Sequence, residues 1–437
     1  MNAQNVFIPK FTVMAKTSVL LFLMFLCFFA SAQQRDTLKV TITEINKRIK
    51  PDTIFSFSSR VDTIALQAVK TDTSKIVRDV NVQDLEDSKY NVKFMGSARV
   101  NGYFDFAGLT STEGFIPYEI PVGVGEIPGL SSIYIGARQS RIGVEGNANT
   151  KVGKIKTYLE VDFASNTESY LRLRHAYAEW NYLKLGYTWS TFMDNASLPQ
   201  TVEFEGPNSS LSKRHGLIRY ERIVKPGNII GVSLESPKAD YYNPADTILV
   251  TSPDQRNLDV AGRYKYFDKW GHVQVAGIIR KIDFIQQGKI DTQLGWGILL
   301  STTLFINKHH QINSQYSIGK GISYYSVGLT RRQLDAVYDP NTNTMILKDI
   351  GGGFINYSFK PVSNIVLSAI AGISHIECHE FESGDSFRSS QYYGANAFYN
   401  PIETISLGIE ITAGTRKNFD NQIGGATRIS MLAKFDF

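Results

Sequence analysis

The sequence predicts an all-β fold: a transmembrane antiparallel up-and-down β-barrel of about 16 strands, preceded by an N-terminal periplasmic extension. Three observations carry that expectation. Side chains alternate between apolar and polar with a period of two from Lys93 to the last residue, Phe437. The alternating segments are even in number and about 10 residues long. Their connections are short on one side and mostly long on the other, the pattern of periplasmic turns and extracellular loops.

Composition sets the outer limits. Of 437 residues, 43% are apolar and 20% charged, with a mean hydropathy of −0.16. That is too apolar for a disordered chain and too charged for a bundle of membrane helices. The 26 Phe, 22 Tyr and 35 Gly beside only 4 Trp favour many strands joined by turns. A net charge of +5, two lower if Lys10 and Lys16 are removed with a leader, is too weak to imply a nucleic-acid partner. Of the two cysteines, Cys27 lies in that leader and Cys378 stands alone, so no internal disulfide is expected.

The first element is a secretory signal peptide over residues 1–32, with Met14 as an alternative start. Lys10 and Lys16 precede an apolar run from Val19 to Ala30, and Ala30-Ser31-Ala32 closes it with small residues. The run is too short to span a bilayer, which takes about 20 residues. Residues 33–91 form the second element, rich in Thr, Asp, Lys and Val and poor in aromatics, read as a periplasmic extension that builds no core alone.

The barrel is placed at residues 92–437, with strands near 92–107, 133–146, 153–163, 170–180, 182–191, 215–224, 228–235, 258–266, 271–282, 293–306, 310–319, 351–360, 364–375, 390–399, 404–414 and 425–437. Short turns such as Lys225-Pro226-Gly227 alternate with longer stretches including 108–132, 192–214, 236–257, 283–292, 320–350 and 376–389. Bulky residues gather toward segment ends, as in Tyr187 with Trp189 and Tyr264 with Tyr266, where interfacial girdles are expected. In the last strand Ile429, Met431, Ala433 and Phe435 are assigned to lipid, and Arg428, Ser430 and Lys434 to the lumen.

Several runs between Ala137 and Tyr220 resemble the DcaP-like porin family. They are Ala137-Arg138-Gln139-Ser140-Arg141-Ile142-Gly143-Val144, Glu160-Val161-Asp162-Phe163, Leu171-Arg172-Leu173-Arg174-His175-Ala176-Tyr177, Gly186-Tyr187-Thr188-Trp189-Ser190-Thr191-Phe192-Met193-Asp194, Glu205-Gly206-Pro207 and Ile218-Arg219-Tyr220. The resemblance implies a trimeric, sixteen-stranded diffusion channel for small, often anionic solutes in the outer membrane of a Gram-negative bacterium. Residues 33–91 lack the sustained heptads of relatives that begin with a periplasmic coiled coil.

With apolar positions facing lipid, the alternate positions bring Arg99, Arg141, Arg172, Arg174, Arg219, Arg263, Arg280 and Arg428 to the channel. A charge facing lipid at the midplane costs about 2–4 kcal/mol, so this many Arg belong inside. Glu145, Glu160, Asp162 and Glu221 share that face. Acid-bearing strands lie next to Arg141 and Arg172, for which a wall-bracing ion pair and a solute role carry equal weight. Arg99, Arg219, Arg263, Arg280 and Arg428 are expected to have weaker acidic partners and to dominate the field. Arg138 is out of phase and is left unassigned. The third long loop carries Asp194, Glu203 and Glu205 and is placed as an inward-folded acidic constriction opposite the Arg wall.

Catalytic and metal sites are weighed and set aside. Ser383-Gly384-Asp385-Ser386 is ordinary turn chemistry, and no histidine accompanies a nucleophile segment. His375, Glu377 and His379 share one face of an extended strand, but strand spacing holds alternate ligands too far apart for one ion. The reading is a non-enzymatic porin without cofactor or metal, whose partners are membrane lipid, lipopolysaccharide and small carboxylate-bearing anions, with a homotrimer implied by the resemblance. The alternative is a structural or adhesive outer-membrane barrel with partner-binding loops and a closed lumen.

Overall fold

The computed structural model describes residues 90–437 apart from 107–108, 110–113, 124–130, 165–170, 242–254 and 287–288, together with the backbone of Phe55–Phe57. The expected signal peptide and nearly all of the expected extension lie outside the described residues.

Among those residues, sixteen antiparallel strands close one barrel. They are β1 (Tyr90–Asp105), β2 in two segments (Ser132–Gly136 and Arg141–Thr150), β3 (Gly153–Asp162), β4 (Arg172–Trp180), β5 (Leu183–Trp189), β6 (Arg214–Lys225), β7 (Asn228–Glu235) and β8 (Asp259–Asp268). The circuit continues through β9 (Gly271–Gln286), β10 (Lys289–Phe305), β11 (His310–Lys320), β12 (Asp349–Phe359), β13 (Ile365–Ile376), β14 (Phe387–Ile402), β15 (Ile405–Asn418) and β16 (Ile423–Asp436). β1 pairs with β16 from Ser97↔Asp436 to Asp105↔Arg428, which closes the wall and leaves no strand edge in the membrane. Below Ser97, where β16 ends, the backbone of Phe55–Phe57 lies parallel to Val92–Phe94.

Each expected strand is present, with ends moved by a few residues. The largest difference is at 283–292, read as a long loop: β9 and β10 continue to Gln286 and from Lys289. The reason is packing above the rim. Ile282 and Phe284 of β9 are buried with Tyr241 against a small hairpin, Ala336–Asp339 with Thr344–Leu347. Between the segments of β2, Ala137 to Ser140 form a turn, in which Gln139 donates to the Tyr103 hydroxyl at 2.9 Å. That interruption shifts the phase, which is why Arg138 falls outside the alternation.

The outer face is apolar as the period of two requires. Ile279, Leu294, Ile298, Leu300 and Ile355 are exposed to the lipid side, while their neighbours Ser301, Gln315 and Asn356 are buried within. Tyr264, Tyr266 and Trp270 stand outward near a periplasmic turn, as a girdle does. Tyr187 and Trp189 do not: β5 carries Gly186 at φ +132°, and the two aromatics beyond it line an interior cavity.

The lumen is unevenly filled. The loop between β5 and β6, residues 190–213, crosses it. Asp194 accepts from Lys265, His272 and Ser301 on β8, β9 and β10 at 2.7, 2.6 and 2.9 Å. Further along, the backbone N–H of Val202 donates to Glu410 of β15 at 3.0 Å, and Asn208 donates to Ser374 and Ser390 of β13 and β14. Phe192, Met193 and Leu211 of this loop share an apolar core with Ile322, Tyr325 and Leu329 of the β11–β12 loop and inward Ala261, Ala276 and Leu299. This packing fills the half of the lumen bounded by β8 to β16 and leaves space along β2 to β6.

Candidate functional site

That space is a cavity of about 860 Å³. Its wall is contributed by β2, β4, β5 and β6, and its roof by loops. Arg141, Arg172, Arg174 and Arg214 project from the strands, with Arg138 from the β2 interruption; Lys213, Lys238, Arg331 and Arg332 come from three loops. The acidic lining residues are Glu119, Glu205 and Asp240. A smaller cavity of about 320 Å³ lies against β3 to β6 and β8 and is lined by His175, Lys184, Arg219 and Arg263 among others.

Pairing sorts these cations. Arg172 forks onto Asp162 through Nε and Nη2 at 2.8 and 2.7 Å. Arg174 reaches Glu160 and Asp162 at 2.6 and 2.7 Å, and Arg332 pairs with Glu119. Arg141 sits opposite Asp162 in the β2–β3 register, but Asp162 is already occupied by two other guanidinium groups. Among the described residues Arg141, Lys213, Arg214, Lys238 and Arg331 make no ion pair. Aromatic faces support two of them instead: Arg214 lies over Trp189 at 3.6 Å from the ring centroid, and Lys213 over Tyr324 at 4.7 Å. Burial and the neighbouring Arg331 push the Lys213 amine down to about 8.

The expected distribution of paired and unpaired Arg is therefore corrected at several positions. Arg428 is buried and forks onto Asp105; Arg280 is buried between Asp259 and Asp335 and also donates to the carbonyls of Gly321 and Lys238. Arg263 pairs with Glu221, its Nε at 2.8 Å. Arg99 and Arg219 have no ion pair and are held by neutral acceptors, Arg99 by the Val202 carbonyl and Asn101, Arg219 by Thr191 and the Trp189 carbonyl. Arg141, for which a bracing pair is one of two equal readings, makes no ion pair. Glu145 pairs with Lys156 on the wall at 2.8 Å.

The acidic loop also differs from expectation. Its inward course is present, but Asp194 turns to the opposite wall, where Lys265 and His272 hold its carboxyl well below the usual range. Glu203 is fully buried and accepts from the backbone N–H groups of Phe115, Glu205 and Gly206 at 2.7, 2.9 and 2.6 Å. Burial and the neighbouring Glu205 push its carboxyl up to about 8, with Glu410 adding to the effect. Only Glu205 of the three lines the large cavity. The residues missed in sequence are Lys238 and the dibasic pairs Lys213-Arg214, at the junction of a loop with β6, and Arg331-Arg332, within a loop, a signal that strand alternation does not weigh.

His375 and Glu377 are exposed, and the His379 ring stacks on Phe381. No group of three potential metal ligands gathers among the described residues.

Comparison with known proteins follows the same lines. The family described as DcaP outer membrane protein matches residues 63–437. No curated protein matches by sequence. The outer membrane channel DcaP of Acinetobacter baumannii superposes with a TM-score of 0.70 at 20% identity, covering 80% of this chain and 98% of that one. An anion-selective porin from Comamonas acidovorans gives 0.53 at 12% identity, with 80% and 100% covered. A trimer form of OmpT from Vibrio cholerae gives 0.50 at 11% identity, with 80% and 99% covered.

Proposed function

The chain belongs to the DcaP outer membrane protein family, an outer-membrane porin, and from that premise we propose that its lumen passes small hydrophilic anions, carboxylate-bearing ones among them, by passive diffusion. One observation supports the choice of sign: five cations without an ion pair, Arg141, Lys213, Arg214, Lys238 and Arg331, line one cavity. At an effective dielectric of about 20 a unit pair at about 4 Å gains about 4 kcal/mol, and in bulk water about 1 kcal/mol. A hydrated cavity lies between those limits, enough to concentrate anions severalfold while letting them leave. Guanidinium forks suit the two oxygens of a carboxylate.

On this reading the ion pairs of Arg172, Arg174, Arg263, Arg280 and Arg428 brace the wall and the unpaired cations serve the solute. The protein carries out no reaction. The protomer is one of three, embedded in lipid and lipopolysaccharide, and residues 1–32 and 33–91 are its leader and periplasmic extension. Purified full-length protein in a planar bilayer tests the channel: persistent open steps are expected. Their absence, with the barrel folded, points to a closed structural or adhesive barrel.

A further inference from the structure

The two cavities of the open half-lumen have one lining residue in common, Trp189. It is the last residue of β5 and pairs directly with Arg214, the first of β6. We infer that Trp189 and Arg214 form the anion-selecting constriction between an outer and an inner chamber. The inference rests on the diffusion-channel reading above and deepens it.

The chemistry of the pair supports this role. Arg214 is part-buried, and its Nε is closed off without a hydrogen-bond partner. A buried donor left unmade is costly, and a carboxylate would be the usual remedy. Here the indole face takes that place at 3.6 Å. A ring quadrupole attracts a cation without neutralising it, so the full positive charge stays available beside the passage. Arg174, on the neighbouring wall, shows the alternative, with its charge spent on Glu160 and Asp162.

The same tryptophan organises the far side. Its carbonyl accepts from Arg219, whose Nε donates to Thr191 Oγ1 at 2.7 Å, and Arg219 lines the inner chamber without an ion pair. The remaining inner cations are compensated: Arg263 by Glu221, and Lys184 by Glu179 at 2.5 Å. Behind the indole the His175 ring packs edge-on at 5.6 Å, itself tied through Nδ1 to Thr188 Oγ1 at 2.9 Å. An anion passing the ring therefore leaves one unpaired guanidinium and meets another, both positioned by Trp189.

Single-channel recordings in a KCl gradient test this with the full-length protein and four variants, each first checked for a folded barrel by heat-modified gel mobility. Trp189→Leu should raise conductance and lower the chloride-to-potassium permeability ratio severalfold. Arg214→Gln should lower the ratio to a similar degree with conductance retained. Trp189→Tyr, which keeps an aromatic face, and Arg214→Lys, which keeps the charge, should hold the ratio near wild type and so separate charge placement from folding. Anion preference in the wild type with unchanged conductance and ratio in Trp189→Leu and Arg214→Gln overturns the constriction and leaves the diffusion reading standing. A wild type without open steps or anion preference overturns both.

Discussion

Replacing Asp105 by Ala unfastens the seam of the barrel. Asp105 of β1 and Arg428 of β16 are direct partners in the register that closes the wall, 5% and 0% exposed at the side chain. Two parallel bonds join them, Nε to Oδ1 at 2.7 Å and Nη2 to Oδ2 at 2.9 Å. Taking the carboxylate away leaves a buried guanidinium without its counter-charge, a loss of about 3–5 kcal/mol. Glu221→Ala, by contrast, unpairs Arg263 in the hydrated inner chamber, where both partners are partly exposed, and should cost about 0–1 kcal/mol. Urea unfolding of protein refolded into lipid vesicles reads both. The double variant Asp105→Leu with Arg428→Met removes the charges together and should recover most of the loss. Equal destabilisation by Asp105→Ala and Glu221→Ala, or no recovery in the double variant, would refute the assignment of Arg428 to wall bracing.

Other perturbations address the loops and the lipid face. Because Lys213 titrates near 8, anion preference should decline as pH rises from 7 to 9 and a folded Lys213→Met protein should lack that decline; a flat wild-type profile counts against a solute-facing amine. Glu203 carries a carboxyl raised to about 8, so between its ordinary range and that value the unfolded chain binds fewer protons than the folded one; the stability it contributes is full below about 4.5 and lost as pH climbs through 8. The urea midpoint should therefore fall over this window, and Glu203→Gln should flatten the fall; a midpoint that rises instead reverses the argument. Ile298→Arg places a charge on the lipid face and should cost about 2–4 kcal/mol of stability and lower the folded yield, whereas Lys184→Gln inside the inner chamber should leave assembly unchanged; similar losses would reject the register.

The wall was legible because a period of two survives wherever one face meets lipid, and Ile279, Ile298 and Leu300 keep that period without exception. Ion pairing was not legible, because partners meet across the closed sheet rather than along the chain. Arg428 finds Asp105 at a separation of 323 residues, Arg280 finds Asp335 at 55, and Arg263 finds Glu221 at 42. Arg141 had an acid in register and still lost it, since Asp162 has two oxygens and two closer claimants. Leu432 shows the same limit for apolar contacts: its parity points inward, and there it is buried with Val202 and Phe398 rather than bathed in water. The inward turn of loop residues creates that core, and alternation along strands carries no record of it.

The central claim is a lumen whose free charge is positive. The reversal potential of the unmodified protein in a KCl gradient measures that sign directly. The account predicts a potential displaced toward the chloride equilibrium value, with the displacement shrinking as salt screens the cavity. A potential displaced toward potassium would contradict it, and would assign control of the passage to Glu205 and its acidic neighbours instead of Arg141, Lys213 and Arg214.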